Sequence, residues 1–374
     1  MERIGIVSYN IYGNFTNYGS ALQSWAVSQT INKLGRGQYE AVLVDYCPKV
    51  HLDKDILDPI KNMWDQDEVS VNACKLSLPA IRENYFKFDK FYNSHFIKTK
   101  NNYTYQNISD IEEKDGIRKF VCGSDTIFCT LEFGGFDDGY FANFPCMKGR
   151  AISYAASFGD AEFDETSYPE LVEKLKNFRA LGIRENKFIP FIKEHVDIPC
   201  HKTIDPTLLL DSKDYDEIAS ERLINEKYIL LYARRFNRNM FDYADKLAKR
   251  YNCRVIDISL MAETLKDKHE PWYKAGVEEF LSLVKHAEFV VTNSFHGLIF
   301  SVQYRRPFIV FSREQADNKI EELLDLFNLK ERLVITGDEN ICSQIDFENV
   351  HERILEARKN SIDFFEYSLK KLMK

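Results

Sequence analysis

The sequence has 374 residues, which is long for one ordinary core and enough for two domains of common size. Apolar residues make up 44% and charged residues 29%, as in folded globular proteins, so the composition argues against disorder. The formal net charge of −8 argues against non-specific binding to nucleic acid, although a local basic pocket could still receive an anionic small molecule.

The sequence offers no signal for export or for membrane insertion. Its first residues lack the basic, apolar and small-residue regions of a secretory signal, and no apolar run approaches the ~20 residues of a membrane span. We therefore expect a cytoplasmic protein with reduced thiols, because the eight cysteines form no CxxC pair. Cys122, Cys129, Cys146 and His201 are grouped too loosely to favour a metal site, and no metal is predicted.

The first part of the chain predicts the opening unit of an α/β fold with a parallel sheet. A strand over residues 3–9 is followed by a loop rich in Gly and Asn, a helix over 21–34 and a second strand over 39–48. A further helix is predicted over 78–96, where Phe and Tyr recur every three or four positions. We interpret that aromatic stripe as core packing.

Further apolar strands follow, and each ends in small or polar residues. They lie at residues 119–128, 149–159, 178–185, 227–236, 254–260, 288–294 and 307–311. Helices are predicted at 276–287, 295–305 and 345–374. The two series of alternating strands and helices predict two Rossmann-like lobes with a central cleft. Open α/β sheets bind their ligands at such strand ends, so we expect the functional site there.

The segment "TNSFHG" is the first candidate site. A strand that ends at Asn293, followed by a helix beginning near Ser294, points free backbone N–H groups at any ligand above the sheet. Gly297 allows close approach, and His296 could bind a phosphate or donate a proton, since histidine titrates near neutral pH. The alternative is a helix-end histidine that is hydrogen-bonded to a backbone carbonyl.

Arginines at strand ends are the second candidate. Arg184 follows an apolar strand and could hold a carboxylate or phosphate through two parallel hydrogen bonds. The alternative for Arg184 is an ion pair with Glu185. Arg234 and Arg235 have similar positions in the second lobe, where one could neutralise a phosphate while the other is solvated.

Polar residues at strand ends of the first lobe are a third group. Asn17, Tyr18 and Gly19 lie in a loop that lacks GxGxxG, so no dinucleotide fingerprint is present, but Tyr18 could stack on a sugar. Asp125 could orient or deprotonate a hydroxyl, and Ser157 could line the same cleft. Capping turns and tight packing are the alternatives for these residues.

Two acidic segments are interpreted as structural. "DPTLLL" is predicted to form a turn between the lobes through Asp205 and Pro206. "DYD" at Asp214–Asp216 has the outline of a metal–nucleotide motif but lies in a charged surface run, so it is not assigned a function.

Taken in order, the segments "TNYGSALQSWAV", "GSDTIF", "ISYAASFG", "IRE", "DPTLLL" and "TNSFHGLIFSVQYRRPFIVF" resemble the polysaccharide pyruvyltransferase family. The resemblance runs from about residue 3 to residue 335. It implies a two-lobed GT-B-like fold, with an acceptor-side lobe at 1–190 and a donor-side lobe at 191–374. The chain departs from the family after "GSD", where relatives often carry tryptophan and asparagine and this chain has Phe128 and Cys129.

The resemblance also implies an activity. The family uses phosphoenolpyruvate as donor and a sugar of a surface-polysaccharide precursor, free or lipid-linked, as acceptor, forming a pyruvate ketal and releasing phosphate without a further cofactor. His296 would then be the acid and Arg184 the carboxylate ligand. Asn293, Ser294, Gly297 and Arg234 would surround the donor, and Asn17, Tyr18, Gly19, Asp125 and Ser157 the acceptor.

Two other function classes share this architecture. A GT-B nucleotide-sugar glycosyltransferase would bind a nucleotide diphosphate sugar, but the sequence offers no convincing metal–diphosphate motif for one. A non-catalytic carbohydrate-binding relative would be indifferent to loss of His296. The basic terminal helix is compatible with contact at the inner membrane face, although a solvated helix face is the simpler interpretation.

Overall fold

The computed structural model describes residues 1–13, 15–63, 66–259, 269–313, 318–335 and 344–374. Asn14 and Leu260, which the sequence analysis placed in a loop and at a strand end, lie outside these ranges. Within them, two parallel sheets form two α/β lobes, as predicted.

The first sheet has seven strands among the described residues, in the order β3-β2-β1-β4-β5-β6-β7. Its strands are β1 Glu2–Val7, β2 Tyr39–Tyr46, β3 Lys98–Tyr103, β4 Lys119–Cys122, β5 Ala151–Ala156, β6 Phe178–Ile183 and β7 Cys200–Lys202. All neighbours pair in parallel, and β5 is buried along its whole length, as expected for a sheet covered on both faces.

The second sheet has six strands among the described residues, in the order β10-β9-β8-β11-β12-β13. They are β8 Tyr228–Tyr232, β9 Arg254–Asp257, β10 Glu270–Pro271, β11 Phe289–Thr292, β12 Phe308–Phe311 and β13 Leu333–Val334. These strands also pair in parallel, so their carboxyl ends share one edge of the sheet.

Helices cover the faces of both sheets. In the described ranges they are α1 Tyr18–Gly35, α2 Glu68–His95, α3 Ile111–Asp115, α4 Thr130–Phe133, α5 Tyr168–Leu175, α6 Ile189–His195, α7 Ser212–Asp216, α8 Arg238–Tyr251, α9 Val277–Lys285, α10 Phe295–Gln303, α11 Asn318–Phe327 and α12 Phe347–Met373. Helix α2 starts earlier than its aromatic stripe predicted, because Asp67 caps it by accepting a hydrogen bond from the Ser70 amide at 3.0 Å. Phe88, Phe91 and Tyr92 of that stripe are buried, which confirms the interpretation as core packing.

The boundary between the lobes differs from the predicted division after residue 190. Strand β7 pairs with β6, so the first sheet extends to Lys202. The terminal helix α12, assigned to the second lobe from the sequence, packs on the first sheet, where the Phe365 ring stacks on Tyr154 with centroids 4.3 Å apart. The chain therefore returns to the first lobe at its end, where the apolar side of α12 covers one face of the first sheet.

Apolar contacts join the lobes through α1. Tyr18 stacks on Phe280 of α9 with ring centroids 4.6 Å apart. The rings of Trp25 and Tyr215 also pack together, with centroids 5.5 Å apart. A single buried cluster thus runs from the first sheet into the second. Across the described ranges, no helix combines the length and apolarity that crossing a membrane requires.

Candidate active site

The carboxyl ends of the two sheets meet in a cleft that contains two adjoining pockets. One pocket, of about 510 Å³, is lined by first-lobe residues around Phe158 and by α11. The other, of about 420 Å³, is lined by Arg184, Asp205, Phe295 and the same helix. Four charged residues line both pockets, so a ligand in either one would lie near Lys319 and the carboxylates of Glu185, Glu322 and Asp325.

Arg184 is buried in this cleft and held by two carboxylates. Its Nε donates to Glu185 Oε1 at 3.1 Å, and its Nη1 donates to Asp205 Oδ2 at 3.2 Å. The guanidinium also lies 4.7 Å from the centre of the Phe295 ring. The ion pair with Glu185, offered from the sequence as the alternative to ligand binding, is therefore present, while Arg184 still reaches the pocket surface.

Asp205 connects Arg184 to His296. Its Oδ2 lies 3.6 Å from Nε2 of His296, while its Oδ1 accepts hydrogen bonds from the amide and the hydroxyl of Thr207 at 3.0 and 2.6 Å. Burial raises the pKa of Asp205, but the charges of His296 and Arg184 outweigh it and lower the pKa below the ordinary value. The sequence predicts a turn at this residue. The structure shows that one carboxylate oxygen makes the turn and the other faces the site.

His296 lies in the first turn of α10, which Ser294 caps by accepting a hydrogen bond from the Gly297 amide at 3.2 Å. The ring is buried, and among the described residues its Nε2 has no hydrogen-bond partner. Its opposite edge faces Gly19 so closely that a Cβ on that glycine would lie 1.9 Å from Nδ1. His296 thus adjoins Asp205 but lines neither of the two pockets.

The other predicted donor residues have mixed positions. Asn293 is buried, and its side chain accepts from the Arg234 amide at 2.6 Å and donates to the Arg235 carbonyl at 2.8 Å, so it fixes the end of β8. The Arg234 side chain is exposed at that strand end. Gly297 is required for packing, because a Cβ there would lie 2.4 Å from the Thr292 hydroxyl.

The predicted acceptor residues of α1 serve the contact between the lobes. Asn17 caps the helix by accepting a hydrogen bond from the Gly19 amide at 3.0 Å. Tyr18 is buried, and its hydroxyl donates to the Ala275 carbonyl at 2.9 Å. The prediction that Tyr18 offers a stacking surface to a sugar is corrected by this position, because its ring is already packed on Phe280.

Asp125 and Ser157 support the charged cluster from the first lobe. Asp125 accepts a hydrogen bond from the Ser20 hydroxyl at 2.7 Å and lies 4.0 Å from Arg184 Nη1. Burial raises its pKa, but the charges of Arg184 and His296 lower it on balance. The Ser157 hydroxyl donates to Glu185. Both residues are buried, so they orient the charges that reach the pocket.

Asp205, Glu185 and Lys319 line the pockets but are not functional candidates from the sequence alone. The sequence predicts a turn at Asp205, offers Glu185 only as the partner of Arg184, and places Lys319 in no motif. The "IRE" and "DPT" strand ends carried the available signal for the first two. Among the described residues, no group of three or more His, Cys, Asp and Glu side chains is arranged to hold a metal ion.

The sequence profile of the family described as polysaccharide pyruvyl transferase matches residues 17–315. The chain belongs to the polysaccharide pyruvyl transferase family. This confirms the resemblance drawn from the motifs, and the matched segment contains Asp125, Arg184, Asp205 and His296. A comparison with curated protein sequences found no match.

Solved structures place this pyruvyl transferase family member among GT-B-like folds, as predicted. The S. aureus MnaA–UDP co-structure has a TM-score of 0.51 and 12% identity, covering 100% of this chain and 98% of that one. A putative UDP-N-acetylglucosamine 2-epimerase from Listeria monocytogenes has a TM-score of 0.51 and 10% identity, with 97% and 90% covered. At these identities the similarity shows the fold alone.

Proposed function

We propose that this protein transfers the pyruvyl group of phosphoenolpyruvate to a sugar of a surface-polysaccharide precursor, forming a cyclic ketal and releasing phosphate. The observation that carries the proposal is the convergence of Arg184 from the first lobe and His296 from the second on the carboxylate of Asp205. Family membership supports the reaction class, and the cleft supplies an arginine and a histidine suited to an anionic donor.

Arg184 is the proposed ligand of the donor carboxylate. Its contacts with Glu185 and Asp205 use Nε and Nη1 and fix the plane of the guanidinium. Among the described residues, these hydrogen bonds leave Nη2 for a further acceptor. The guanidinium is held by three carboxylates, those of Asp125, Glu185 and Asp205, and still has N–H groups that can donate to a ligand. It is therefore oriented before the substrate binds.

The proposed reaction balances without a further cofactor. One acceptor hydroxyl bonds to C2 of phosphoenolpyruvate, and C3 gains a proton to become a methyl group. The bond from C2 to the phosphate oxygen breaks with its electron pair on the phosphate, and the second hydroxyl closes the ketal at C2. Of the two hydroxyl protons released, one balances the proton added to C3 and the other leaves on phosphate.

His296 is the proposed acid, acting on C3 or on the leaving phosphate. Its Nε2 lies 3.6 Å from Asp205 Oδ2 and has no hydrogen-bond partner among the described residues, so this nitrogen is the proposed proton donor. Gly19 covers the Nδ1 edge of the ring, so the proton would pass from the Nε2 edge, on the side of Asp205.

Glu185 is the proposed acceptor-side base. It lines both pockets, its Oε1 is held by Arg184 and the Ser157 hydroxyl, and its buried Oε2 has no hydrogen-bond partner among the described residues. A buried carboxylate oxygen without a partner is costly, and a sugar hydroxyl would satisfy it. The adjoining pocket of about 510 Å³ gives the acceptor sugar a place beside Phe158 and Gly159.

The proposal is tested by incubating the protein with phosphoenolpyruvate labelled in its pyruvyl carbons and a panel of oligosaccharide acceptors. We expect the label in the sugar fraction together with an equal amount of phosphate, and a loss of about 10²-fold or more for His296→Ala. Hydrolysis of phosphoenolpyruvate without label in any sugar, or equal transfer by His296→Ala, would contradict the proposal.

A further inference from the structure

Lys319 is a cation in the cleft with an unusual environment. It is the second residue of α11 and lines both pockets, beside Glu185. Among the described residues it forms no hydrogen bond and no ion pair within 4 Å. The other three pocket lysines differ: Lys187 pairs with Glu162, Lys202 with Glu322 and Lys330 with Asp325.

The charges around Lys319 are arranged unfavourably for an ammonium group. Burial lowers its pKa first, and the positive charges of Arg184 and Arg313 lower it further. Asp125 and Glu185 act in the opposite direction but do not compensate. Lys319 and Arg184 therefore bring positive charge to the second pocket from both lobes, and a bound anion would relieve their repulsion.

We propose that Lys319 binds an anionic group of the donor, acting with Arg184 across the two adjoining pockets. This inference rests on the proposed function, and it adds a donor ligand that lies beyond the segment matched by the family profile, which ends at residue 315. It is also independent of the motifs, because no motif in the sequence includes this lysine.

The chemistry of the donor explains why a second cation would be useful. Phosphoenolpyruvate carries a carboxylate and a phosphate on a small frame, and Arg184 already shares its charge with Glu185 and Asp205. The positive charge of an ammonium group without an ion pair is not neutralised by a carboxylate, so it can interact fully with the oxyanion of a ligand. As the C2–O bond breaks, the same group would also stabilise the electron pair that departs with the phosphate.

The test is isothermal titration of phosphoenolpyruvate into the wild type, Lys319→Met, Lys319→Arg and the control Lys202→Met. The control lysine lines one of the same pockets but is paired with Glu322 and partly exposed. We expect Lys319→Met to weaken binding at least about tenfold, as for loss of one charged hydrogen bond, and Lys319→Arg to bind more tightly than Lys319→Met. Lys202→Met should change Kd less than about threefold.

Melting curves without ligand separate binding from folding. Lys319→Met removes a cation that is half-buried and repelled by Arg184, so its melting temperature should not fall below that of the wild type. If the wild type binds phosphoenolpyruvate and Lys319→Met binds it equally well, the role of Lys319 is wrong while the proposed function stands. If the wild type does not bind phosphoenolpyruvate, both proposals fail.

Discussion

Asp205 Oδ2 lies 3.6 Å from Nε2 of His296, and this contact joins the two lobes at the centre of the cleft. Asp205 follows β7 of the first sheet, whereas His296 opens α10 of the second. The same oxygen accepts a hydrogen bond from Arg184. The carboxylate therefore fixes the relative positions of the proposed acid and the proposed donor ligand.

Replacement of Asp205 by asparagine should destabilise the protein by about 3 kcal/mol at pH 7, because it removes one charge from a buried ion-pair cluster. The folded-state pKa of Asp205 is lowered, so its stabilising contribution is fully present above the unfolded pKa, near about 4. It is lost as the pH falls through the lower folded pKa. Urea denaturation of wild type and Asp205→Asn should thus give a difference that narrows below about pH 4.

The control for Asp205→Asn is Asp53→Asn, which changes an exposed carboxylate. This variant should stay within about 0.5 kcal/mol of the wild type at pH 7. A difference for Asp205→Asn that grows as the pH falls would contradict the assigned direction.

Replacement of Gly19 by alanine should destabilise the contact between the lobes. Alanine favours helices by about 1 kcal/mol over glycine, yet its Cβ would lie 1.9 Å from His296 Nδ1. The ring would have to move, at a cost of about 1–3 kcal/mol. Gln29→Ala, on the same helix and partly exposed, is the control and should be neutral or slightly stabilising in thermal melting.

Replacement of Tyr18 by phenylalanine tests its corrected role. The change removes the hydrogen bond to the Ala275 carbonyl and should cost about 1 kcal/mol, while Tyr18→Ala should cost about 3–5 kcal/mol because the packed ring is lost. Chemical denaturation measures both values. A neutral Tyr18→Ala variant would show that the ring is free to meet a ligand, as the sequence analysis expected.

Replacement of Phe365 by alanine tests the return of α12 to the first lobe. The buried ring stacks on Tyr154, so its loss should reduce the free energy of unfolding by about 3–5 kcal/mol. Leu355→Ala on the exposed side of the same helix should cost less than about 1 kcal/mol. Equal effects of the two changes would mean that α12 does not pack on the sheet.

The architecture could be predicted because it follows from local patterns. Alternating buried strands and amphipathic helices indicated two parallel sheets, and strand ends indicated the cleft. The domain boundary could not be predicted as well, since β7 is only three residues long and the cover of the first sheet comes from α12, far away in sequence.

The site could be predicted only in part, because contacts between residues far apart in the sequence decide some of the roles. Arg184 and His296 stood out because arginine and histidine are distinctive at strand ends, whereas Asp205 resembled an ordinary turn residue. The role of its Oδ2 atom depends on the contact with His296 of the other lobe, which the sequence does not show. Tyr18 shows the reverse case: an aromatic residue in a polar loop suggested a ligand contact, but Phe280 of the second lobe covers it.

The most direct test of the account is isothermal titration of phosphoenolpyruvate into the wild type, Arg184→Lys and His296→Ala, with a nucleotide diphosphate sugar as the control ligand. Melting curves establish that each variant is folded. We expect saturable binding of phosphoenolpyruvate that Arg184→Lys weakens more strongly than His296→Ala, because the planar guanidinium is the proposed carboxylate ligand. Absence of phosphoenolpyruvate binding together with clear binding of the nucleotide sugar would contradict pyruvyl transfer.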